Sequence, residues 1–293
     1  MHLWQVVLLA IVQGLTELLP VSSSAHVIVT AKLLHQNMST PANALLLVLL
    51  HTGTMFAVIV FFWSRWVNEF LSSWAEFLRF AKLVVVATIF SGIVGYPIII
   101  LVEHILGHGG QRAEIEALFD KLNWIAPALA AVGLLILYAG LREARRPETE
   151  KQERQFDVNW LQAIVMGILQ GLAIPFRGFS RSGSTISGGL LAGGRRAEIE
   201  SFSFAMAVVI TPLAIGREGL RVLRTAHAAG VHAASGAALA PGLVGMVCAF
   251  IAGLLALRWL SRWLEQGRWY WFGIYCLVAA GVVEWLYFSV LPK

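Results

Sequence analysis

Gln170-Gly171-Leu172-Ala173-Ile174-Pro175-Phe176-Arg177-Gly178-Phe179-Ser180-Arg181-Ser182-Gly183-Ser184-Thr185 joins two apolar segments through a polar run. Its beginning has an earlier copy. Ile168-Leu169-Gln170-Gly171-Leu172 echoes Ile11-Val12-Gln13-Gly14-Leu15, and each copy precedes a proline and then a serine-rich stretch. Residues 177–185 hold two arginines, four hydroxyls and two glycines, groups that are costly at bilayer depth and mark a site there. A Gly/Ser stretch opening into the apolar run 186–192 reads as a helix N-terminus, where free N–H groups and the helix dipole favour anions. Arg181 adds a planar fork suited to phosphate oxygens. A solvent-exposed turn with capping serines is the plain alternative.

The composition supplies the membrane. Of 293 residues, 58% are hydrophobic and 13% charged, and the mean hydropathy is +0.72. Soluble domains carry about 25% charged residues, so the chain reads as an integral membrane protein. Arginines clustered at the ends of apolar runs explain the net charge of +5 without nucleic acid as a partner. Several tryptophans lie near the same ends (Trp63, Trp66, Trp124, Trp160, Trp259, Trp269, Trp271, Trp285), as interfacial anchors do. Cys248 and Cys276 sit in apolar runs and read as small packing residues, neither a metal site nor a disulfide framework. Met1-His2-Leu3-Trp4 lacks the basic region of a cleaved signal peptide, so the N-terminus is expected to stay in place.

Around the two polar stretches the apolar segments fall into order. Segments 3–19 and 27–34 flank Pro20 and the run Val21-Ser22-Ser23-Ser24-Ala25-His26. Neither reaches the ~20 residues that a spanning helix needs, so together they read as a re-entrant helix hairpin. Three runs long enough to cross come next, at 42–62, 83–106 and 122–141, then a charged linker at 142–157. The pattern then restarts with short pieces at 160–174 and 185–192, followed by spans at 202–220, 239–257 and 270–290. The expected fold is an all-α polytopic membrane protein of one domain, with six transmembrane helices and two re-entrant hairpins. A unit with an odd number of crossings inverts its second copy, so residues 1–141 and 158–293 form an inverted repeat, an architecture that puts its site where the halves meet. Thirteen lysines and arginines fall on the side of the 142–157 linker and seven on the other, which makes the linker cytoplasmic by the positive-inside rule.

Gln13 and Glu17 are spaced to share one helix face. A carboxylate with a neighbouring amide oxygen suits a divalent cation, Mg²⁺ or Ca²⁺, whose shell phosphate oxygens can complete. A buried ion pair between Glu17 and Arg181 is the structural alternative, and the two are compatible. His26 is a candidate general base or acid, or a hydrogen-bonded core residue. His51, in the middle of a span, ranks below it as a packing or supporting group. Ser180, Ser182, Ser184 and Thr185 could bind phosphate, cap a helix or, in one case, attack phosphorus. Arg177 could snorkel to an interface.

These segments resemble the undecaprenyl-diphosphate phosphatases of the bacitracin-resistance type. Gln13-Gly14-Leu15-Thr16-Glu17-Leu18-Leu19-Pro20-Val21-Ser22-Ser23-Ser24-Ala25-His26 is similar to that family's (E/Q)-x-x-x-E motif with its serine run and histidine. Gly178-Phe179-Ser180-Arg181-Ser182-Gly183-Ser184-Thr185 is similar to its P-G-x-S-R-S-x-x-T motif, with Arg177 in place of the proline. The segments 253–260 and 272–275 are similar to its C-terminal stretch, where Cys276 stands in place of an arginine.

The resemblance implies hydrolysis of undecaprenyl diphosphate to the monophosphate, which recycles the carrier lipid for cell-wall polymers. It also implies dependence on a divalent cation, a bacterial inner-membrane location and a site open to the extracytoplasmic side. Carried onto this sequence, Glu17, His26, Ser180 and Arg181 are the expected catalytic residues. Ser22, Ser23, Ser24, Gly178, Ser182, Gly183, Ser184 and Thr185 are expected to bind phosphate, and Gln13 and Glu17 the cation. The expected partners are a polyprenyl diphosphate and membrane lipids, with a homodimer compatible. A secondary transporter or flippase of an anionic prenyl lipid is the competing reading.

Overall fold

Pro20 and Pro175 lie just past the ends of two short apolar helices, 16 and 14 residues long. The computed structural model describes residues 1–36, 40–106, 122–146, 158–228 and 236–289. Among these, ten helices and no strands occur: α1 (Leu3–Leu18), α2 (Ser23–Leu33), α3 (Pro41–Glu69), α4 (Trp74–Leu106), α5 (Leu122–Ala144), α6 (Trp160–Ala173), α7 (Arg181–Leu191), α8 (Arg196–Ala228), α9 (Gly236–Glu265) and α10 (Tyr270–Ser289). Leu19, ahead of Pro20, is extended (φ −73°, ψ 150°), because the proline ring disfavours helix in the residue before it. At the start of α6, Asn159 and Gln162 cap each other, each side-chain oxygen taking the other's backbone N–H at 2.9 Å.

Among the described residues, five helices are long and apolar enough to cross a membrane: Asn43–Glu69, Trp74–Val102, Trp124–Ala144, Leu239–Glu265 and Tyr270–Ser289. The chain is thus a multi-pass helical protein. Its helices outrun the expected apolar segments. Arg65, Arg79 and Lys82, expected in a loop, lie in α3 and α4, where Arg65 pairs with Glu69 at 3.1 Å one helical turn away. The polar stretches are also more helical than expected. α2 starts at Ser23 rather than at 27, and α7 starts at Arg181 rather than at 185. Small hydroxyl residues satisfy the free N–H groups of a first turn, as Ser180 does by accepting from Gly183 N at 3.2 Å. The charged linker mostly lies outside the described residues, which resume at 158.

Small residues let the helices approach closely, which replaces the missing hydrophobic drive in a lipid environment. Gly14 of α1 faces α9, where an added Cβ would meet the Ala249 carbonyl oxygen at 2.6 Å. Gly171 of α6 faces α4, where a Cβ would meet the Ser91 carbonyl oxygen at 2.5 Å. Gly171→Ala is therefore expected to lower stability in detergent by about 1–3 kcal/mol, as overpacking does. Gly92→Ala, inside α4 with nothing near its Cβ, is expected to raise stability by up to about 1 kcal/mol instead. Thermal unfolding of the two variants side by side checks this.

One apolar core joins both parts of the chain, with Leu18, Phe62, Leu129, Met166, Ile186, Phe202, Leu257 and Trp269 among its members. Two tryptophans expected at an interface turn inward instead, Trp269 into the core and Trp66, half-buried, against it. Trp269 is fully buried and donates to Ser187 Oγ at 3.0 Å, and Trp66 donates to Ser201 Oγ at 3.1 Å. Their basic neighbours in sequence made them resemble anchors; the indole N–H instead found a buried hydroxyl.

Candidate active site

The turn at 19–22 and the loop at 174–180 meet face to face. Gly178 N donates to Ser24 Oγ at 3.3 Å, and Ser182 Oγ donates to the Leu19 carbonyl at 3.4 Å. Gly178 has φ +103°, and a Cβ there would press on the Ile125 carbonyl of α5 at 2.5 Å. Only glycine fits that position. Between the two loops lies a cavity of about 160 Å³ lined by Thr16, Glu17, Ser22–Ser24, Ala173, Ile174, Phe176, Arg177 and Phe179–Ser182.

Glu17 is the carboxylate among these lining residues, and three side chains converge on its Oε2. Ser23 Oγ donates to it at 2.5 Å and Gln13 Nε2 at 3.1 Å, while His51 Nε2 stands 3.7 Å away. Its other oxygen lies 3.8 Å from Nη2 of Arg181. Arg181 opens α7 and leaves Nη1 buried with no hydrogen-bond partner. A buried guanidinium N–H without an acceptor is costly, and an anion in the cavity would satisfy it. The cavity therefore presents two arginines and one carboxylate beside a row of hydroxyls and the N-terminus of a helix.

Not every residue expected here reaches the cavity. Ser184 and Thr185 donate to the Arg181 carbonyl at 3.0 and 2.8 Å, and Thr185 also shares a 2.7 Å bond with Ser203 of α8. Both are fully buried, and with Gly183 they build the first turns of α7. Ser180 lines the cavity while its oxygen caps α7. His26 stands beside the cavity with both ring nitrogens engaged, Nδ1 with the Ser22 carbonyl at 2.8 Å and Nε2 with the Tyr275 hydroxyl at 2.7 Å.

Both loops of this cavity fall within residues 6–282, which match the family model described as bacitracin resistance protein BacA. The chain belongs to this family. It is 48% identical over 285 residues to undecaprenyl-diphosphatase 2 of Acinetobacter baylyi, covering 97% of each chain. It is 35% identical over 287 residues to the undecaprenyl-diphosphatase of Mycobacterium leprae, covering 97% of this chain and 94% of the relative. With that of Desulfitobacterium hafniense it shares 29% over 294 residues, covering 98% and 96%. The whole site thus lies inside the BacA-family region.

Two contacts of this BacA-family site escape sequence reasoning. Tyr275, on α10, reaches His26 across 249 residues of chain, and nothing in an apolar run signals that contact. His51 was visible as a mid-span ionisable group, but its closeness to Glu17 depends on how α3 packs on α1.

Proposed function

We infer that this chain is an undecaprenyl-diphosphatase. It hydrolyses undecaprenyl diphosphate to undecaprenyl phosphate and inorganic phosphate, a membrane phosphatase step of carrier-lipid recycling and bacitracin resistance. The family membership and the full-length relatives support the activity. The observation that carries the site is the buried Nη1 of Arg181, a guanidinium donor without a partner on the wall of a hydroxyl-lined cavity.

In this reading the terminal phosphate enters between the loops and takes the free Arg181 donor and the N–H groups at the start of α7. Ser23 is the nucleophile that the geometry favours, because its hydroxyl already donates to the Glu17 carboxylate, whereas Ser180 is occupied as a helix cap. Ser23 Oγ attacks the terminal phosphorus, its proton passes to Glu17, and the bond to the bridging oxygen breaks, releasing the lipid monophosphate. Glu17 passes that proton to the departing lipid phosphate. Water then attacks the phosphorus of the phosphoserine and gives its proton to Glu17. The P–Oγ bond breaks, Ser23 takes the proton back from Glu17, and inorganic phosphate leaves.

A divalent cation belongs to this proposal. Among the described residues no cluster of three His, Cys, Asp or Glu side chains could hold one alone. The donor set fits a cation shared with substrate, since Mg²⁺ is commonly held by one or two carboxylates plus phosphates and waters. Glu17 and the Ser22–Ser24 hydroxyls would hold it. Gln13 donates its amide nitrogen to Glu17 and would join through its oxygen only with the amide turned over. Bound, the cation would neutralise phosphate charge. Chelation of the purified protein is expected to suppress phosphate release by at least about tenfold, with Mg²⁺ or Ca²⁺ restoring it. Unchanged release in chelator would remove the cation from the proposal.

We further propose six spans, with α8 the sixth, and inverted halves whose re-entrant hairpins are α1–α2 and α6–α7. The supporting feature is an exchange of partners: Gly14 packs on α9 while its counterpart Gly171 packs on α4, and α4 and α9 hold the same place in the two copies. The bacterial inner membrane, a cytoplasmic linker, an extracytoplasmic opening and a homodimer belong to the same proposal. Phosphate release from undecaprenyl diphosphate by the purified protein tests the function, because a carrier or flippase without chemistry releases none.

A further inference from the structure

The imidazole of His26 has no free nitrogen. The Ser22 carbonyl can only accept, so Nδ1, at 2.8 Å, carries the proton. Nε2 of the neutral ring is then an acceptor, and the Tyr275 hydroxyl donates to it at 2.7 Å. The two rings are also stacked, with centroids 5.7 Å apart and planes inclined by 14°.

The carbonyl that His26 holds belongs to an unusual residue. Ser22 has φ 66° and ψ 93°, a conformation that a non-glycine residue keeps only where its surroundings hold it. Its carbonyl takes a second bond, from the His26 backbone N–H at 3.4 Å. The next residue of α10, Cys276, donates its thiol to the Pro20 carbonyl at 3.3 Å. Two consecutive residues of α10 therefore brace the turn, one directly at Pro20 and the other, through His26, at Ser22. The braced turn leads into the row Ser22, Ser23 and Ser24, with Ser23 aimed at Glu17.

We propose that Tyr275 is a positioning residue for the phosphatase reaction, acting through His26 on the turn that presents Ser23 to Glu17. The inference rests on the function proposed above. Tyr275 fixes the tautomer and the plane of His26, and His26 keeps the Ser22 carbonyl turned so that the serine row faces the cavity. Its weight falls on the chemical step rather than on substrate capture, since neither Tyr275 nor His26 lines the cavity.

The test is steady-state phosphate release by the full-length protein in detergent with undecaprenyl diphosphate. Tyr275→Phe keeps the stacked ring and removes only the donor. It is expected to lower kcat about tenfold, the size of one lost hydrogen bond, and to leave KM unchanged. In a His26→Ala background the same substitution is expected to have no further effect, because Tyr275 acts only through that ring.

Wild-type kcat in Tyr275→Phe, a change confined to KM, or an equal penalty in both backgrounds would each overturn the proposal. Should Tyr275→Phe unfold at a lower temperature, Tyr275→His supplies a donor from a smaller ring. Recovery of kcat above the phenylalanine level supports positioning, and none overturns it. A wild-type protein that releases no phosphate would instead defeat the underlying function.

Discussion

Arg181→Ala is expected to lower phosphate release by at least about a hundredfold, the cost of losing one strong donor to a developing anion, while the protein still inserts and unfolds as the wild type does. Three facts set the size. The guanidinium is largely buried, its Nη1 has no partner, and its Nη2 faces Glu17 at 3.8 Å. The side chain is thus committed to the cavity by its position at the start of α7, and its unpaired donor awaits an acceptor. Arg181→Lys keeps the charge but not the fork, so it is expected to recover only part of the loss. Radiolabelled phosphate release, normalised to folded protein, gives the answer. Near-normal turnover in the alanine variant would sink the site.

Glu17→Gln is the second large effect, expected at roughly a hundredfold to ten-thousandfold in kcat, the range for a general base. The amide is nearly isosteric, so the packing of α1 on α9 survives, but it cannot take the proton of Ser23. Ser23→Ala removes the other member of the same pair. If the two act as one unit, the double variant is no worse than the poorer single one. A water nucleophile would betray itself differently: Ser23→Ala would keep most of the rate while Glu17→Gln lost it. Acid quenching with labelled substrate adds a direct reading, because a phosphoserine holds label on the wild-type protein and not on Ser23→Ala.

Much of this molecule could be read from its sequence where two local signals agree. Pro20 and Pro175 lie between an apolar run and a polar one and follow helix ends, whereas Pro97 and Pro212, inside apolar runs, stay within helices, and residues 160–173 form a short helix. Glu17 and Arg181 needed a partner at membrane depth and lie within ion-pair distance of each other. Helix starts were harder to see. Polarity suggested that the serine runs were loops, yet Ser23 and Arg181 begin helices; Ser180 caps the first turn of α7, while Ser22 makes no side-chain cap at α2. The burial of Thr185 against Ser203 and the grip of Tyr275 on His26 come from helix packing, which hydropathy does not encode.

The two bonds between the loops also bear on how the protein is made. Ser24 meets Gly178 and Leu19 meets Ser182, pairs separated by 154 and 163 residues of chain. Contacts so distant in sequence close late, after the intervening segments have been synthesised and packed. Within the first serine row Ser23 meets Glu17, and Ser22 meets Ser24, as soon as α2 has formed, but the Gly178 N–H that Ser24 accepts emerges much later. Neither bond between the loops can form before residues 178 and 182 have been made, and the brace from Tyr275 and Cys276 arrives later still, so a defect near the end of the chain reaches a turn made at its beginning.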